Sequence, residues 1–425
     1  MERTISGRRR VATVRPRHLA RLPADFWRLW TAATVSAAGD GVRLAALPLL
    51  AASLTRDPRS VSLVAAAGGL PWLLFALPAG ALADRWDRKR VLWGVDLTRA
   101  AVVAALAAAV AGGHVSVPLL AAVEFALGTA ETLFESAAQA AVPAVVPTER
   151  LERANGRLYA GTVVASSLAG PPLGSALFAV VAAAPFGFDA TSFVLAAALA
   201  LGLRADLRAP AEQAPAGRLR GQIVEGVRWL WRQRQLRTIC LLLTLWNLVE
   251  NAILAVVVLW ALEVLRLPGA AFGLLLAGFA AGGLLGSLLA ERVAGAAGPG
   301  RSMAACVWVT VAAYLGLGAT RSGVVAFALL AVVGAAAFVW NVLSASFRQA
   351  VVPAGLQGRI SSVYRFATWG VIPAGAALGG VLAGQLGLRV PFLVAAAALA
   401  AAGAALLPGL RDADLAAARA EAAAR

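Results

Sequence analysis

Asp40 and Arg43 lie three residues apart in an apolar run that extends from about residue 30 to residue 54. In a helix they share a face, one turn apart. An ionisable side chain in a membrane-length apolar run is costly, and it faces a protein interior or a water-filled cavity. Such a pair can bind a proton or a charged ligand, or it can be a static buried ion pair that orders the packing. Another run holds Glu124, Glu131 and Glu135, with Gly128 between them. Steps of seven and eleven residues return to nearly the same face of a helix with about 3.6 residues per turn. Three carboxylates on one stripe in a low dielectric repel one another, and a proton held by one of them relieves the repulsion. That suits a group that loads and unloads a proton, or one for which a cation competes. Glu135, nearest the end of its run, can instead pair with a loop arginine. Asn247, Glu250 and Asn251 could line a cavity from a later run, whereas Asp96 and Arg99 read as a structural pair. Trp246, Trp260 and Trp340 could add aromatic surface, although aromatics in such runs more often pack or anchor at the interface.

These residues need helices to hold them, and the composition says which kind. Of 425 residues, 60% are hydrophobic and 14% charged, with mean hydropathy +0.76. Soluble domains average about 45–50% apolar and about 25% charged. The chain has room for twelve membrane helices of about 20 residues each. Lys89 is the sole lysine, set between Arg88 and Arg90. A phosphate-binding Gly-Lys-Ser/Thr loop is therefore absent, and ATP-driven pumping by this chain alone is excluded. His18 and His114 fall outside the apolar runs, and Cys240 and Cys306 inside them. No metal spacing, disulfide framework or nucleophile–base pair follows, so the chain reads as a non-enzyme without cofactor or metal.

Spans are expected near 30–54, 60–83, 91–112, 117–140, 157–183, 187–203, 238–262, 270–290, 302–319, 323–346, 359–385 and 389–408. With the N-terminus inside, thirty basic residues fall in cytoplasmic segments and five in outer loops. This positive-inside bias places both termini in the cytoplasm. The net charge of +16 is then a topology signal, and nucleic acid is not an expected partner. The divisions are a basic tail 1–26, a six-helix bundle 27–203, a linker 204–237, a second six-helix bundle 238–408 and a tail 409–425. Within the linker, Ile223, Val227, Leu230 and Trp231 share one helical face and Arg228, Arg232 and Arg234 lie elsewhere. This pattern predicts a helix on the inner leaflet, with a plain basic connector as the alternative.

The halves repeat. SAAQAAVP at Ser136–Pro143, NGR at Asn155–Arg157 and GPPLG at Gly170–Gly174 precede the linker. SFRQAVVP at Ser346–Pro353, QGR at Gln357–Arg359, Pro373 and LGG at Leu378–Gly380 follow it. In both, a proline stands fourteen residues after the arginine. Parallel six-span repeats place a site between the halves.

The run Gly80, Ala81, Leu82, Ala83, Asp84, Arg85, Trp86, Asp87, Arg88, Lys89, Arg90 resembles the signature loop of the major facilitator superfamily, with Asp87 where glycine is usual. Ala38–Gly41, Glu131–Ala137, Leu151–Gly156 and Phe188–Phe193 resemble its drug and siderophore exporter branch, which includes the enterobactin exporter and the macrolide efflux proteins. The resemblance implies an all-α membrane protein of two pseudo-symmetric six-helix bundles. It implies protons and a small organic molecule as partners, and a monomer in a bacterial inner membrane is expected. The expected function is proton-coupled efflux of a hydrophobic or cationic compound by alternating access. The alternatives are an importer or lysophospholipid flippase on the same fold, or a sensor that moves nothing. In such a carrier the Gly80–Arg90 loop is a gate. Asp84 should approach Arg359 when the cytoplasmic side closes, and the repeat, which sets SLLAER at Ser287–Arg292 against GALADR at Gly80–Arg85, predicts a mirror contact between Glu291 and the start of the fifth span near Arg157. Gly170, Pro171, Pro172 and Gly174 should form a hinge or packing seam.

Overall fold

The computed structural model describes residues 22–83, 87–205, 219–353 and 356–423. Alanine and leucine, both strong helix formers, dominate the chain, and no strand occurs among the described residues. The first helices are α1 (Ala24–Leu54), α2 (Pro58–Ala83), α3 (Arg88–Ala111) and α4 (Val117–Val145). Next come α5 (Leu151–Val163), α6 (Gly170–Val180) and α7 (Ala184–Leu201). The linker forms α8 (Leu219–Arg232), followed by α9 (Arg234–Leu254) and the short α10 (Val257–Leu259). The rest are α11 (Gly269–Ala297), α12 (Pro299–Ala319), α13 (Gly323–Val351), α14 (Gln357–Trp369), α15 (Ile372–Leu386), α16 (Val390–Leu406) and α17 (Asp412–Ala423).

Eleven helical stretches among the described residues are long and apolar enough to cross a membrane. The 26-residue α2 is the twelfth spanning helix, at about 1.5 Å per residue. Two of these spans are composite. A π-helical turn, Val164–Ala169, joins α5 to α6, and Gly370 and Val371 interrupt the run from α14 to α15. The interruptions precede Pro171 and Pro373, the two prolines of the repeat. Several expected boundaries shift, three of them at helix starts: the first span begins at Ala24, not near 30, the fifth at Leu151, not near 157, and the seventh at Arg234, not near 238. Each helix starts early because a polar first turn remains helical beyond the apolar run.

Helix ends follow local chemistry. Asp87 accepts from the backbone N–H of Lys89 at 3.0 Å and so caps α3. That gives the departure from the usual glycine a structural purpose. Gly298 and Gly387, at φ 88° and 102°, end α11 and α15 in a region other residues avoid.

The helices pack as two groups. In the first, α1 lies against α6 and α7, α2 against α4, and α3 against α4 and α7. In the second, α9 lies against α15 and α16, α11 against α13, and α12 against α13 and α16. Trp246, Trp260 and Trp340 are buried in the second group, with Trp246 beside Trp340 and Trp260 beside Phe392. They serve its core, not a binding surface.

The groups meet along α2–α15 and α6–α11. A Cβ on Gly273 would lie 2.0 Å from the Pro171 carbonyl oxygen, and one on Gly69 would lie 3.4 Å from Pro373 Cγ. Both repeated prolines therefore press on the other group. The Ser175 hydroxyl accepts from the Gly273 N–H at 2.8 Å. Arg56 pairs with Glu263 at 3.8 Å, and the Trp72 and Trp369 rings meet edge to face at 5.1 Å. These contacts run from the face opposite the arginine-rich loops to about the middle of the helices.

Candidate transport site

Arg43 projects from α1 into a cage of carboxylates. Its Nε donates to Asp189 of α7 at 3.1 Å, one terminal nitrogen donates to Asp40 at 3.0 Å, and the other donates to Glu124 of α4. Asp189 is fully buried, while Asp40 and Glu124 keep partial exposure. A guanidinium offers five donors in a fixed fork, so three carboxylates can share it from different directions. The second Asp189 oxygen has no hydrogen-bond partner. It lies against Gly39, where a Cβ would come within 2.4 Å of it and 2.0 Å of the Ser192 hydroxyl. Gly39 thus makes the room that Asp189 occupies.

Glu131 follows two turns along α4 from Glu124. It is exposed, and it interacts electrostatically with Asp40, Arg99, Arg43 and Glu124. Glu135 is half-buried further along. Asp96 and Arg99 are both buried, 4.0 Å apart. The Arg99 guanidinium lies over the Phe134 and Phe193 rings at 5.0 and 5.4 Å, and such cation–π contacts favour a fixed position.

Between the groups lies a cavity of about 460 Å³, a volume typical of small-molecule sites. Arg43 and Glu124 line it from the first group, and Glu250 and Asn251 from the second. Most of the remaining lining is apolar. Asn247, expected at this wall, is not part of it. Its amide donates to the Thr368 carbonyl at 2.9 Å and ties α9 to α14. The expectation fails because helical position alone does not say which side of a span faces the cavity and which faces its neighbour.

The gating residues are placed only in part. Asp84 and Arg85 lie outside the described residues, and Gly80 falls where side chains are not described. Lys89 donates to the Leu203 carbonyl at 2.7 Å, Arg90 lies 3.6 Å from Asp87, and Arg88 is half-buried. Arg359 pairs with Glu225 of α8 at 2.5 Å. The Arg157 guanidinium covers the Trp27 ring at 5.2 Å, and no ion pair joins it to the exposed Glu291. Gly170 and Gly174 bring α6 against Gly41 and Val42 of α1, where an added Cβ would lie 2.6 and 2.1 Å from backbone atoms. Pro171 faces Gly273 across the groups and Pro172 adjoins it. This stretch is a packing seam both within the first group and between the two.

Asp189 is the site residue that spacing does not single out. Its signal is an acid in an apolar run, the same one that marks Asp40.

The family model for transmembrane secretion effectors matches residues 19–422. The multidrug efflux pump Tap of Mycobacterium tuberculosis is 30% identical over 426 positions, which cover 91% of this chain and 94% of Tap. An uncharacterized MFS-type transporter of the same organism is 37% identical over 147 residues, 34% of this chain and 33% of that protein. Among solved structures, the nucleoside transporter NupG has a TM-score of 0.73 at 12% identity, covering 91% of this chain and all of NupG. At that identity the likeness is one of fold.

Proposed function

The chain belongs to the major facilitator superfamily, in the family of transmembrane secretion effectors, and on that premise we propose that it exports a hydrophobic organic cation in exchange for protons. The observation that carries this reading is the acid excess around the cavity. One guanidinium, Arg43, stands among Asp40, Glu124 and Asp189, and Glu250 adds a further carboxylate from the other group. Two unit charges about 5 Å apart interact by roughly 3 kcal/mol at an effective dielectric of about 20. The site therefore favours states in which a proton or an organic cation offsets the excess. An apolar lining favours a cation that carries hydrophobic surface.

The direction of transport rests on kinship and topology. Tap is named a multidrug efflux pump. The excess of arginine on one face supports a cytoplasmic assignment for that face and for both termini, in a bacterial plasma membrane. The groups touch from the opposite face to mid-membrane, so this conformation opens its cavity to the cytoplasm. A cation enters from that side, the groups rock, and protons arriving from outside displace it. Asp40, Glu124, Glu131 and Asp189 are the proton carriers in this scheme. In the alternate state, Arg359 leaves Glu225 for Asp84, and Glu291 approaches Arg157.

The test uses the purified protein in proteoliposomes with a trapped pH dye and an imposed pH gradient. Organic cations should trigger proton flux that disappears in Asp40→Asn and Glu131→Gln. No proton flux with any compound, while labelled lysophospholipid still crossed, would refute the exchange and favour lipid flipping.

A further inference from the structure

We propose that the cationic group of the exported molecule seats on Glu250, and that the carboxylates around Arg43 are reserved for the proton. The inference rests on the function proposed above and assigns its two ions to different walls of one cavity. Glu124 is held by Arg43, as are Asp40 and Asp189 behind it. An organic cation arriving there must first break a charge-assisted bond to the guanidinium, and such bonds are the strong ones. Glu250 lines the same cavity from α9, and no hydrogen bond or ion pair joins it to another described residue. Nothing has to be displaced for a cation to reach it.

The surroundings of Glu250 select the kind of cation. Tyr314, Phe272, Phe279 and Phe338 line the cavity with it. Aromatic faces attract weakly hydrated organic cations. A hard metal ion instead prefers six or more oxygen ligands, and beside Glu250 the described residues of the second group bring only the Asn251 amide and the Tyr314 hydroxyl to the cavity as side-chain oxygens. The site therefore takes a monovalent organic cation with apolar or aromatic arms, not a metal ion. The two ions then occupy separate carboxylates on separate helix groups that line one cavity, so exchange needs no competition for one carboxylate: a proton taken up by the Arg43 cage adds a positive charge across the cavity from the cation and weakens its hold.

The test is binding of tetraphenylphosphonium to the purified full-length protein in nanodiscs, beside the neutral probe triphenylphosphine oxide. Glu250→Gln should weaken tetraphenylphosphonium at least tenfold and leave the neutral probe within about twofold, which also shows that the variant is folded. Glu250→Asp keeps the charge and should recover most of the cation affinity. Glu124→Gln should lose proton flux in proteoliposomes yet change cation affinity less than threefold. Full cation affinity in Glu250→Gln, or an equal loss in Glu124→Gln, overturns the assignment and leaves the proposed export intact. Wild-type protein that binds the neutral probe but no organic cation overturns both.

Discussion

Replacing Gly273 by alanine would load the contact that holds the two helix groups together. The new Cβ would lie 2.0 Å from the Pro171 oxygen and 2.3 Å from its carbonyl carbon. Both are backbone atoms, so no rotamer change relieves the overlap. Overpacking of this kind costs about 1–3 kcal/mol. The clash lies between the groups and not inside either one, so rocking them apart removes it without unfolding. The penalty then falls on this conformation alone, and 1–3 kcal/mol corresponds to about a 5–150-fold shift in an equilibrium. The same movement breaks the Ser175–Gly273 bond. A cysteine at Ser167, which lines the cavity, reports the state through labelling by a membrane-impermeant maleimide. The two native cysteines, Cys240 and Cys306, are buried, which keeps the background low. Gly273→Ala should slow labelling from the arginine-rich face at least fivefold and speed it from the opposite face, with little change in melting temperature. Gly380→Ala, whose Cβ would lie 1.8 Å from the Ser62 hydroxyl oxygen, should act in the same direction. Unchanged labelling from both faces in a folded variant would mean that this contact does not set the balance between the two states. A fall in melting temperature with unchanged labelling would show that the contact holds the fold and not the state.

Three further outcomes are expected. Gly39→Ala should displace Asp189 and abolish proton-coupled transport with a fall in melting temperature. Gly94→Ala should do neither, because nothing lies within 4 Å of its added Cβ. In the loop before α2, a hydrogen bond from the Ser60 hydroxyl, joined by the backbone N–H groups of Arg59 and Ser60, holds the Asp57 carboxyl below the ordinary 3.8. A lowered folded value means that the contribution is whole above 3.8 and is lost as the pH falls through the folded value. Hydrogen exchange at Arg59 and Ser60 should therefore stay slow down to about pH 4 and rise at neutral pH in Asp57→Ala, whereas loss of protection between about pH 5 and 6 would contradict the capping role. Finally, Glu225→Ala should release α8 from Arg359, seen as faster hydrogen exchange within Leu230–Arg232. Unaltered exchange there would mean that Leu230, buried against its neighbours, suffices to dock the helix.

What the chain determines locally is legible in the order of its residues. Asp40 and Arg43 are one turn apart in a single helix, and their 3.0 Å pairing follows from helical spacing alone. Asp96 and Arg99 are the same case. The spans and their polarity bias rest on hydropathy and arginine counts, because the bilayer demands apolar length and the insertion machinery reads basic loops, and the six-helix repeat rests on motifs that recur across the linker. The repeated prolines are visible too, although not their use, which is to press on Gly273 and Gly69 of the opposite group.

Tertiary structure decides what the spacing leaves open. Asp189 lies 146 residues from Arg43, and only the packing of α1 against α7 turns it toward the guanidinium. Glu124 and Glu131 share a stripe, yet Glu124 alone meets Arg43, because α4 leans on α2 through Gly68 and Gly128. Asn247 and Glu250 stand one turn apart on α9, yet one bonds to α14 and the other faces the cavity. A helical period fixes which residues share a face. Which face meets a neighbour and which meets the cavity depends on the rotation of each helix about its axis, and that rotation is set by contacts between segments distant in sequence.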